Sequence, residues 1–180
     1  MRGRGYQPIN VSIRLELEFE FLTAAELSNI LAIYQRMLRA AWRETLHDQH
    51  VDKSPAFRPV ITGASFSSPL EVWVNYVLPA VYFSSAIAGP VRDWPGFVKG
   101  TFNYVRAVWS ATGKGPGDSS SDRVIITGGS DPQLNIPVSA LHDRKTAQHI
   151  KELWSVAQKG RIKVTIKIED TDDTIGYKPN

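Results

Sequence analysis

Four residues with metal-binding side chains crowd one polar run of this chain: His47, Asp48, His50 and Asp52, within 47–55. Imidazole and carboxylate together suit zinc or manganese, so a small metal-dependent enzyme using His47, Asp48 and His50 is one functional alternative. The same residues have a plainer reason to be there. Polar side chains collect in a loop after a helix, and His47 suits the negative end of a helix dipole. His142 and His149 stand seven apart with no third ligand near in sequence. The reading adopted is no metal and no cofactor.

Other chemistries fail on spacing. Gly113-Lys114-Gly115-Pro116-Gly117 invites a phosphate loop, which needs Gly at 108 and Ser or Thr at 115; those positions hold Val and Gly. Glu169-Asp170-Thr171-Asp172-Asp173 has the charge of a calcium loop but Ile175 where the sixth-position Gly belongs. No Gly-x-Ser-x-Gly nucleophile turn occurs. With no cysteine there is no thiolate zinc site, disulfide scaffold or cysteine nucleophile. Glu16, Glu18 and Glu20 form a carboxylate row that could serve acid–base work. On these grounds the reading leans away from an enzyme without settling the point.

The glutamate row belongs to the strongest structural signal present. Ile9, Val11, Ile13, Leu15, Leu17, Phe19 and Phe21 alternate with polar residues, the period of a strand with one face on a core and one in water. A second alternating run, Ile162, Val164, Ile166 and Ile168, carries Arg161, Lys163 and Lys167 on its polar side. If the two strands are neighbours, the glutamates select a strand partner and are not catalytic.

Between these strands the chain alternates helical and extended patterns. Thr23-Ala24-Ala25-Glu26 is a capping box. It opens a helix to about Thr45, with Leu27, Ile30, Leu31, Tyr34, Leu38 and Ala41 on one stripe and Arg36, Arg39 and Arg43 largely off it. Strands are predicted over 57–66 and 70–77, joined by a turn at Ser67-Ser68-Pro69. Pro79 suits the first turn of a short helix to about Ala88, and a further helix is predicted over 97–110. Residues 111–122 form a Gly/Ser-rich loop between two layers. Val124–Thr127 and Gln133–Val138 read as a hairpin on Gly128-Gly129. Ser139 can cap a helix over 143–158, closed by Gly160. Residues 1–8 read as a flexible basic arm and 171–180 as a loose tail. The expected architecture is a single α+β domain over 9–170: a mainly antiparallel sheet of about five or six strands with helices on one face.

Ser67-Ser68-Pro69-Leu70-Glu71, placed after one strand and leading into another, resembles a set of small uncharacterised bacterial proteins with a Ser-Pro-Leu-Glu strand turn. The resemblance spans about 9–110. It implies a setting near bacterial conflict, defence or mobile-element genes and carries over no catalytic residue.

Composition narrows the partners. Net charge is only +3, from 21 basic and 18 acidic residues, which speaks to solubility more than to nucleic acid. The basic residues look scattered, without the aromatic interleaving of a strand-binding groove. Met1-Arg2-Gly3-Arg4-Gly5 is followed by no apolar stretch, so no secretory signal is expected and the cytoplasm is the expected location. Residues 72–91 carry no charge, and as a helix would measure about 30 Å, a bilayer's hydrocarbon thickness. Pro79, Gly89 and Pro90 interrupt that run. Trp73, Trp94, Phe97, Phe102, Tyr104 and Trp109 are the candidate interaction or membrane residues. The leading reading is a protein–protein interaction or self-assembly module. Peripheral or re-entrant association with the inner membrane face through 72–110 is the alternative beside the metal enzyme.

Overall fold

The computed structural model describes residues 5–48, 58–83, 93–113, 124–127, 142–169 and 171–180. Among them are six strands and three α-helices. In chain order these are β1 (Tyr6–Glu18), α1 (Ala24–Asp48), β2 (Arg58–Ser65), β3 (Leu70–Pro79), α2 (Trp94–Gly113), β4 (Val124–Thr127), α3 (Arg144–Gly160), β5 (Lys163–Ile168) and β6 (Thr174–Tyr177). A 3-10 turn, Ala80–Phe83, follows β3. The strands form one antiparallel sheet in the order β2-β3-β1-β5-β6-β4, so the fold is α+β as expected.

The longest alternating run takes a central place because both of its neighbours match its apolar parity. Ile13, Leu15 and Leu17 lie opposite Val74, Val72 and Leu70 on β3, and opposite Ile168, Ile166 and Val164 on β5. All nine are buried in one cluster with α1, α2 and α3, which cover that face. A one-residue slip in either pairing would turn this set to water, so register is fixed by burial. Between Pro8 and Ser12 β1 bulges, and Asn75 stitches the irregularity by accepting from the Ser12 and Thr62 hydroxyls and donating to the Ile9 carbonyl.

The opposite face carries the charges. Glu18 is directly across from Lys163, whose Nζ lies 2.8 Å from its Oε1. Glu16 faces Thr165 on one side and Glu71 on the other, an unfavourable like-charge pair. Arg14 resolves it by reaching both carboxylates, at 3.1 and 3.4 Å, while Lys167 reaches Glu16 diagonally at 2.9 Å. Glu16 and Glu18 therefore pair across the strands with β5 as expected, while Glu20 lies beyond the end of β1. Glu18→Lys and Lys163→Glu should each cost up to about 1 kcal/mol, and the double variant should recover most of it in urea unfolding, a coupling of roughly 0.2–1 kcal/mol. Simple addition of the two losses would mean that the pair contributes nothing.

Helix ends follow local chemistry. The Thr23 amide and hydroxyl both donate to Glu26, while Thr23 Oγ1 accepts from the Glu26 amide. Those bonds hold the Glu26 carboxyl below the usual carboxylate range. α1 continues past Thr45 to Asp48, and α2 begins at Trp94 and not Phe97 because Asp93 caps it, accepting from the Gly96 amide at 3.0 Å. α3 is capped by Asp143, not Ser139. At its far end Arg161, not Gly160, adopts the left-handed conformation, with φ 53°. A Cβ at Gly160 would sit 2.6 Å from Ile162 Cδ1, so a larger residue there would force that buried side chain to shift. Arg161 is thus a cap residue and no part of the basic strand face.

Three expectations for other segments change. Residues 171–180 are not a loose tail: β6 pairs with both β5 and β4, and Ile175 and Tyr177 are buried. β1 starts at Tyr6, inside the stretch read as an arm. The strand expected over 70–77 extends to Pro79 and passes into a 3-10 turn, so Pro79 closes a strand and does not open a helix. Ser139, the second hairpin strand and the Gly/Ser-rich loop beyond Gly113 lie outside the described residues.

Candidate interaction edge

β2 forms one end of the sheet, with a strand partner on a single side among the described residues. Its inner side chains continue the apolar parity of β3: Pro59 stands opposite Tyr76, Ile61 opposite Val74, Ala64 opposite Val72. On β3 those partners are buried. On β2 only Pro59 is, because β2 is an edge strand that α1 touches at few points. Ile61 is left 50% exposed, and Phe66, just past the strand, 80% exposed. Leu17 pairs with Leu70, so β1 runs out at the end of the sheet where β2 turns into β3. Phe21, also 80% exposed, follows β1 there.

Edge strands usually carry charge, proline or a bulge that discourages pairing with another chain. Arg58 is the only charged residue of β2, and its guanidinium sits over the Tyr6 ring, 4.9 Å from the centroid. From Val60 to Phe66 there is no charge at all. A bulge between Ile61 and Gly63 bends the strand, and Gly63 admits the Trp73 ring at close range, a Cβ there standing 3.4 Å from Cε3. Arg58, Pro59 and the bulge thus guard the first half of β2, while Val60 to Phe66 is uncharged and leaves Ile61 and Phe66 exposed.

The aromatic residues singled out from the sequence serve the core instead. Trp94, Phe97, Phe102, Tyr104 and Trp109 are all buried. Trp94 and Phe97 pack with Trp42, and Trp109 meets the edge of Trp154 at 5.3 Å while donating to the Gly176 carbonyl. Trp73 is half-buried on the polar sheet face, opposite Arg14. The six therefore form no shared surface. Tyr34 and Tyr76 are interior as well; burial pushes both phenols well above their ordinary value, so they stay neutral. Among the described residues no helix is long and apolar enough to cross a membrane, and no group of three or more His, Asp or Glu could hold a metal. His47 and Asp48 end α1, while His50 and Asp52 lie outside the described residues.

One grouping was missed from the sequence. Arg36, Arg39 and Arg43 of α1 line a groove with Lys145 and His149 of α3, floored by Ala40 and flanked by Glu44, with a volume of about 180 Å³. At the rim Glu152 meets Arg36 at 3.5 Å and His149 at 3.3 Å. Burial acts to raise the Glu152 carboxyl, but the bonds from His149 and Gln148 and the charges of His149 and Arg36 outweigh it and leave it lowered. The available signal was the spacing of 36, 39 and 43, which puts three guanidinium groups on one helix face. That α3 brings its own cations alongside is a fact of packing.

No protein-family model, no curated protein and no solved structure matches this chain.

Proposed function

We propose that this chain is a non-enzymatic self-assembly module whose contact surface is the β2 edge, joined antiparallel to β2 of a second copy. The observation that supports this reading is the uncharged edge from Val60 to Phe66 with Ile61 and Phe66 exposed beside it. Free N–H and C=O groups on such an edge are a template for another strand. A strand pairing antiparallel with its own copy obeys a two-fold axis by construction, the commonest oligomer symmetry. Two uncharged edges meet without like-charge repulsion. Joining them would continue one sheet across both copies and cover Ile61 and Phe66 at once.

Light scattering coupled to size exclusion tests the reading. The chain is expected to run as a dimer at micromolar concentration and Ile61→Lys as a monomer. Lysine at an exposed edge position is one of the devices natural proteins use against strand addition. Because Ile61 is half exposed, the variant should keep its thermal midpoint once concentration is taken into account. A wild-type chain that stays monomeric at high concentration would sink the proposal.

A further inference from the structure

The helix layer carries one cluster of positive charge. The α1–α3 groove presents four permanent cations, Arg36, Arg39, Arg43 and Lys145, against the carboxylates of Glu44 in its lining and Glu152 at its rim. Arg36 is engaged by Glu152 at the rim. Arg39, Arg43 and Lys145 are exposed, and among the described residues no carboxylate forms an ion pair with them. Arg39 and Arg43 are four apart on one helix, where like charges repel and weaken the helix by tenths of a kcal/mol. An anion lodged between them turns that repulsion into attraction.

We infer that this groove binds a small oligophosphate-class anion, gripped by Arg39 and Arg43 from α1 and by Lys145 from α3. Guanidinium forks match phosphate oxygens in pairs, and lysine adds a flexible point charge from the facing wall. A multiply charged ligand suits three converging cations better than a monovalent one. The lining contains no aromatic ring on which a base could stack, which disfavours single-stranded nucleic acid as the occupant. Nor does an apolar side chain other than Ala40 line the groove to receive an acyl chain. This inference is independent of the β2 edge, which belongs to a different part of the molecule.

Calorimetric titration with tripolyphosphate at two salt concentrations tests it on the full chain. Saturable one-site binding that weakens with salt is expected, and Arg39→Ala/Arg43→Ala should bind about tenfold more weakly or worse, two charge-assisted contacts being lost. The control Lys99→Ala/Lys178→Ala removes the same charge from exposed positions elsewhere and should bind like the parent. In the unaltered chain, amide shifts on titration should centre on α1 and α3. Absence of saturable binding, or equal loss in both double variants, overturns the site. So does an oligonucleotide that tripolyphosphate cannot displace, or binding confined to phosphatidate vesicles.

Discussion

Trp42→Ala should lower stability by about 3–5 kcal/mol, the range for emptying a buried large aromatic site. For a domain of this size that is a fall in thermal midpoint on the order of 10 °C. Trp42 is fully buried and joins three elements. Its ring stacks on Tyr76 of β3 at 4.6 Å, lies 6.0 Å from Trp94 at an interplanar angle of 4°, and receives Phe97 edge-on at 4.6 Å. Removing it opens a void where α1, α2 and the sheet meet, which rigid neighbours fill only in part. Trp42→Phe should recover a good share, since a smaller ring still reaches Tyr76 and Phe97. Urea unfolding of the two variants gives both numbers. A loss below about 1 kcal/mol for the alanine variant would mean that the helix layer does not seat on the sheet through this residue.

The second large effect is expected at Asp143, where Asp143→Ala should cost about 2–4 kcal/mol. Its carboxylate is buried and does two things at once. It caps α3 by accepting from the Thr146 amide at 2.9 Å and from the Thr146 hydroxyl, and it accepts from the Tyr104 hydroxyl of α2 at 2.8 Å. Loss of the cap accounts for about 1 kcal/mol and loss of a hydrogen bond to a charged group for about 1.5–3. Asp143→Asn keeps a capping oxygen and should fall between. A double-mutant cycle with Tyr104→Phe isolates the interhelical part. If Asp143→Ala and Tyr104→Phe proved strictly additive, the contact would not join the helices energetically.

Both residues illustrate what the sequence conceals. Trp42 sits beside the apolar stripe of α1, and nothing in its neighbours announces a meeting with β3 and α2. Asp143 looks like one more polar residue ahead of a helix. The Thr23–Glu26 capping box, by contrast, was legible because both partners lie within one helical turn. The aromatics of α2 were misassigned to a surface for a related reason. Apolar content on a helix says that a face is covered and leaves open whether core, partner or lipid covers it.

By itself the sequence determined the parity of β1 and β5, the capping of α1, the α+β class and the complementary charges that pair across β1 and β5. These rest on periods of 2 and 3.6 residues and on contacts a few residues long, which any chain with those side chains must honour. Tertiary structure alone decided the rest. It placed β6 inside the sheet, with Ile175 and Tyr177 buried and the strand paired to β5 on one side and β4 on the other. It put β2 at the rim of the sheet, where α1 covers it only in part, leaving Ile61 and Phe66 exposed. And it brought Lys145 and His149 to the three arginines of α1, joining residues about a hundred positions apart. Which side chains share a surface depends on how layers stack and where they end, and that information is not local to any stretch of the chain.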